Sequence, residues 1–120
     1  MANSVEKRLL SASTDGAPIK IAATASSGTL IHTATASTTT VKDEVWIWLM
    51  NTHTASQSCT IQFGGTASPD NEIVVTVPSR AGLALAIPGF VLQNAKEVRA
   101  FASQANTMLA VGFVNRITNS

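Results

Sequence analysis

Apolar residues in this chain recur at every second position in short runs, and the runs are separated by clusters of Ser, Thr, Gly, Pro, Asn and Asp. Residues 19–23 set Ile19, Ile21 and Ala23 against Lys20 and Ala22. The turn Ser26-Ser27-Gly28 leads into residues 29–34. Asp43-Glu44 opens the strongest segment, residues 45–50, with Val45, Ile47 and Leu49 on one face and Trp46, Trp48 and Met50 on the other. Both faces are apolar, so both are expected to be covered. Residues 58–63, with Cys59, Ile61 and Phe63 on one side, and residues 72–77 follow. Residues 83–87 alternate Leu83, Leu85 and Ile87 with alanines until Pro88-Gly89 ends the run, and residues 97–102 and 107–114 complete the series. No stretch of about 10 to 15 residues repeats apolar positions at helical spacing, which argues against βαβ units. The expected fold is all-β: an antiparallel two-sheet sandwich, a jelly roll of about eight strands, in an order that the pattern does not dictate.

The first residues break this rhythm. Glu6, Lys7, Arg8, Asp15 and Lys20 place five of the fifteen charged residues in the first twenty. An isolated helix over Val5 to Leu10 would be marginal at that length, and residues 11–18 read as a linker with a turn signal. Residues 1–17 are therefore expected to be an N-terminal arm and residues 18–120 the β-sandwich domain. The apolar pair Leu9 and Leu10 would seat the arm on a partner surface.

Composition narrows the function. At 120 residues there is room for one domain with a core. Net charge is +1, which does not provide the field of a protein that neutralises many phosphates, so no nucleic-acid partner is expected. No apolar h-region follows the N-terminal charges and no run of about 18 apolar residues occurs, so neither a secretory signal nor a membrane span is expected. A soluble product made in the cytoplasm is the simplest expectation. Charged residues make up only 12% of the chain, against about 25% in an ordinary domain, and none lies between Val45 and Pro69. Interfaces are depleted in Lys, Glu and Asp and enriched in aromatics and Met, so this uncharged stretch points to assembly. Trp46, Trp48, Met50, Leu9 and Leu10 are the interface candidates.

Catalytic chemistry finds little support. His32 and His53 have no ligand-like spacing and Cys59 has no second cysteine, so no metal site and no disulfide are expected. Twelve serines make a serine near a histidine inevitable and therefore uninformative. Gly64-Gly65-Thr66 lacks the lysine and helix of a phosphate loop. Cys59 alternates with Ile61 and Phe63 and reads as a buried, inert thiol. His32 and His53 read as exposed or bonded to backbone. The expectation is a non-enzymatic protein with no catalytic residue and no cofactor. Trp46 and Trp48, about 6.5 to 7 Å apart on one strand face, would also suit stacking on a sugar, which keeps a carbohydrate-binding module as an alternative.

The order of segments resembles that of small virion structural proteins of tailed bacteriophages, of the capsid decoration or cement type. The resemblance is carried by Gly28-Thr29-Leu30-Ile31-His32-Thr33-Ala34, Asp43-Glu44-Val45-Trp46-Ile47-Trp48, Phe63-Gly64-Gly65-Thr66, Pro69-Asp70, Ile87-Pro88-Gly89 and Gly112-Phe113-Val114-Asn115-Arg116-Ile117. It spans residues 28 to 117 and leaves out the arm. It implies a β domain on the exterior of an icosahedral head, often a homotrimer, made in the host cytoplasm and bridging subunits of the major capsid protein. Another virion component, at the neck, tail or fibre base, is the nearest alternative.

Overall fold

The computed structural model describes residues 3–119. Met1, Ala2 and Ser120, at the two ends of the expected arm and domain, lie outside them. Nine strands form, and among the described residues there is no helix: β1 (Ser4–Leu9), β2 (Ile19–Ile21), β3 (Thr29–Thr33), β4 (Val41–Asn51), β5 (Gln57–Phe63), β6 (Glu72–Val77), β7 (Ala84–Leu92), β8 (Glu97–Ala102) and β9 (Met108–Thr118). Among the described residues no helix is long and apolar enough to cross a membrane.

The strands make two antiparallel sheets. The larger runs β1-β9-β4-β7, with β2 also paired to β9, and the smaller runs β3-β8-β5-β6. Their inner faces share one core, because the period of two aims alternate residues inward. Val45, Ile47, Leu49, Met108, Ala110 and Val114 meet Cys59, Ile61, Val98, Ala100 and Ala102 there. The all-β sandwich expected from the alternation is the observed architecture, and each of the eight expected segments contains a strand.

Four details differ from the sequence-based expectations, each for a local reason. Residues 4–9 are a strand: β9 extends to Thr118, and its last six residues would have an open edge if β1 did not pair with them from Ser4↔Thr118 to Leu9↔Phe113. Leu10 then turns inward and is only 1% exposed. Residues 4–10 therefore belong to the sandwich instead of forming an arm, and Leu10 is a core residue instead of a docking residue.

Pro88-Gly89 does not end β7, which continues to Leu92. Proline is tolerated there because β7 is an edge strand, and the register against β4 shifts between Val45 and Trp46, beside the Trp46↔Pro88 pair. β4 begins at Val41, so Asp43 lies within the strand on its inner face. His32 is bonded to backbone, one of its two expected placements, since its Nδ1 accepts the Ser11 N–H, but it is also buried and in contact with Asp43.

Candidate functional site

The outer face of the larger sheet gathers most of the candidate residues. β4 alternates buried residues (Asp43, Val45, Ile47, Leu49) with half-buried ones that point outward (Glu44, Trp46, Trp48, Met50). The register with β9 sets Trp46 beside Phe113, Trp48 beside Val111, Met50 beside Leu109 and Glu44 beside Asn115. On the far side of β9, Leu9 sits beside Phe113 and Lys7 beside Asn115. On the near side of β4, Trp48 is paired with Leu85.

Three rings cluster at the centre of this face. Trp46 and Trp48 have centroids 6.2 Å apart and planes 20° apart. Phe113 lies 6.2 Å from Trp46 and 6.0 Å from Trp48. Two glycines make the cluster possible. A Cβ on Gly112 would come within 1.9 Å of the Trp46 carbonyl oxygen, so only glycine lets β9 approach β4 here. A Cβ on Gly89, at φ +87°, would lie 2.9 Å from the Trp46 ring, so the indole rests against bare backbone.

Polar groups frame one side of the cluster. The Trp46 indole N–H donates to Glu44 Oε1 at 2.8 Å, and Asn115 Nδ2 donates to the same oxygen at 3.0 Å. The Asn115 bond, followed by the Trp46 bond, holds the Glu44 carboxyl below its usual range. Lys7 Nζ stands 4.7 Å from the Phe113 centroid, at cation–π distance. Leu9 is 53% exposed at the outer border of this face. Beyond Met50, with Asn51, Thr52, Arg80 and Gly82, is an open depression of about 460 Å³.

The structure brings Leu9, Trp46, Trp48 and Met50 onto one face and removes Leu10 from it. Phe113, Lys7 and Glu44 join the face although none of them was among the interface candidates. Their common signal is the outward phase of β1, β4 and β9, which becomes visible only when the strand order is known.

A second cluster is buried beneath β1. Asp43, fully buried, accepts Arg116 Nε on Oδ1 at 2.7 Å and Arg116 Nη2 on Oδ2 at 3.0 Å. Its Oδ2 also accepts His32 Nε2–H at 2.8 Å and the Thr35 backbone N–H at 3.1 Å. Burial pushes the Asp43 carboxyl up, but the Arg116 and His32 hydrogen bonds outweigh it and leave the group below its ordinary value. The arrangement is a fully bonded ion pair with a neutral imidazole. It joins β3, β4 and β9 and so ties the two sheets together.

The remaining reactive groups are kept apart. Among the described residues no serine hydroxyl is bonded to an imidazole nitrogen: Ser11 Oγ accepts the Thr33 N–H, and Ser79 Oγ donates to the His53 carbonyl. Burial pushes the Cys59 thiol up to about 12. No group of three or more metal-ligating side chains assembles among the described residues. His53 sits in the turn after β4, where Nδ1 accepts the Ala55 N–H. Comparison with known protein families, curated proteins and solved structures finds no match to this chain.

Proposed function

We propose that this chain is a structural virion protein that decorates a bacteriophage capsid, with the outer face of its larger sheet as the surface that engages the major capsid protein. The observation that carries this reading is the aromatic and aliphatic face around Trp46, Trp48 and Phe113, flanked by Leu9, Met50 and Leu85. The three rings are half-buried in the monomer and pack on one another, and a partner that covers what remains open would add part of the roughly 1.5 to 3 kcal/mol that full burial of such a side chain is worth. Lys7 and Glu44 at the rim would orient the contact more than strengthen it.

The strand order supports a jelly-roll reading of the sandwich. With β1 and β2 taken as two parts of one edge strand, eight strand positions fall into two sheets of four. The chain crosses between the sheets at most connections, as two interlocked Greek keys require. The bridging role on the shell and the homotrimer come from the family resemblance.

The test is location together with the aromatic face. Purified particles of the parent phage should contain the protein on their exterior, and Leu9→Lys, at a position of this face that is 53% exposed, should lose particle occupancy while keeping a melting temperature close to that of the wild type. Absence from particles, combined with a tryptophan fluorescence shift on adding oligosaccharide, would replace this reading with the carbohydrate-binding one.

A further inference from the structure

We infer that the free edge of β6 is a self-association edge, at which two copies of this chain join their smaller sheets through antiparallel β6–β6 pairing about a two-fold axis at Val74. This goes beyond the shell-binding reading and does not rest on it, because it concerns the other sheet and a different surface.

The inference starts from a comparison of the four sheet edges. An exposed edge strand presents unpaired N–H and C=O groups, and proteins usually blunt it with charge, proline, bulges or cover. β1 carries Glu6, Lys7 and Arg8. β7 contains Pro88 and two register shifts. β3 has a register shift between Leu30 and His32 and is covered by the chain after β1: Ala12 N–H donates to Ile31 O at 3.2 Å, and Ser11 Oγ accepts the Thr33 N–H at 2.7 Å. Apart from Glu72 at its first position, β6 has none of these devices. Its sequence is Glu-Ile-Val-Val-Thr-Val, it pairs with β5 in unbroken register, and Val74 at its centre is 62% exposed.

The surroundings of this edge are apolar too. Leu83 and Phe90, two of the remaining exposed large hydrophobics, lie just before β7 and on it. β7 is the edge of the other sheet on the same side of the sandwich, as the edge-to-face contact of Phe90 with Phe63 on β5 shows.

A second copy fits the edge for reasons of backbone and side-chain phase. The Phe63 N–H donates to Asn71 O at 2.8 Å, which makes this an inward-bonded pair. Alternation then turns the backbone groups of Ile73 and Val75 toward β5 and those of Val74 and Thr76 toward the free edge. With Val74 opposite Val74 of the second copy, the two residues exchange N–H and C=O, and each Thr76 N–H reaches the Glu72 carbonyl of the other copy. That gives about four new backbone hydrogen bonds.

The register also matches the faces. Ile73, on the core side with Ile61, comes opposite Val75, on the core side with Cys59, while Glu72 comes opposite Thr76 on the outer side. The single charge of the strand thus avoids its own copy, and a closed two-fold contact leaves no open edge for further growth.

Sedimentation velocity of the free protein, away from the shell on which the resemblance implies a homotrimer, is expected to show a reversible dimer over a concentration series. Val74→Lys, an exposed substitution that sets two ammonium groups against each other on the axis, should raise the dissociation constant at least about tenfold while leaving the thermal melt of the monomer, followed below that constant, unchanged. Cysteine substitution reads the register independently of that variant. Val74→Cys should form an intermolecular disulfide on mild oxidation, since directly opposed residues of this type have Cα atoms about 5.5 Å apart. Thr76→Cys should not, since its two copies would be about 13 Å apart along the strands. A wild-type protein that stays monomeric at every concentration, a Val74→Lys variant that dimerises as tightly as the parent, or equal cross-linking of the two cysteine variants would each overturn the inference.

Discussion

The backbone N–H of Ser11 donates to Nδ1 of His32 at 3.0 Å. That bond requires Nδ1 to be unprotonated, so the ring proton sits on Nε2, where it reaches Asp43 Oδ2. The imidazole is neutral in the folded protein, and burial, opposed by the neighbouring Asp43 carboxylate, lowers its proton affinity below the ordinary value of 6.5. Protonation would place two N–H donors against each other at the point where the chain leaves β1.

Stability should therefore fall with acid in two steps. The unfolded chain takes up a proton on His32 near pH 6.5 and the folded chain only at lower pH, so this contribution is complete above 6.5 and declines below it. Asp43, whose folded value lies below 3.8, adds a second loss of the same sign as pH falls through and below that value. The other charges near the ring are Arg116, Arg8 at the mouth of the depression over it, and Glu6 across from Arg116. A melting-temperature series from pH 7.5 to 5.5 should slope downward in the wild type and flatten in His32→Gln. Equal slopes would assign the loss to other groups.

Asp43→Asn removes the charge that Arg116 and His32 both bond. Breaking a buried pair from one side costs about 3 to 5 kcal/mol, because the partner is left uncompensated. Arg116→Met should cost less, since its side chain is 25% exposed and the carboxylate keeps His32 and Thr35. Urea unfolding of the two variants would check the order, and a milder effect for Asp43→Asn would contradict it.

Leu9 and Leu10 should behave oppositely although they are adjacent. Leu10→Ala empties a core site and is expected to cost about 2 to 5 kcal/mol. Leu9→Ala, on the outer face, should stay within about 0.5 kcal/mol. Deleting residues 2–10 should lower the melting temperature sharply, because both the β1–β9 ladder and Leu10 are lost.

Gly112→Ala should abolish soluble folding, because its methyl group would collide with the Trp46 backbone at the β4–β9 contact. Gly89→Ala meets a movable indole instead, and it also has to hold a side chain at positive φ. A folded but less stable protein with altered tryptophan emission is the expected result. Wild-type stability for both variants would show that the two strands can separate freely.

Alternation alone, with no stretch of helical spacing, determined the all-β class, located eight of the nine strands and placed Cys59, Ile47 and Leu49 inside, because a period of two is a local property of the chain. β1 escaped notice because an edge strand exposed along all six residues buries nothing and therefore leaves no pattern. The run through Pro88 was hidden for a related reason: whether a proline stops a strand depends on whether that strand is at an edge, and edges are assigned by pairing. Only the tertiary structure could decide that Asp43 would bond His32 from the opposite sheet and Arg116 from 73 residues along the chain, or that Phe113 would complete the ring cluster of Trp46 and Trp48. These contacts depend on register between β4 and β9, and register is set by long-range pairing and core packing, which a one-dimensional pattern does not record.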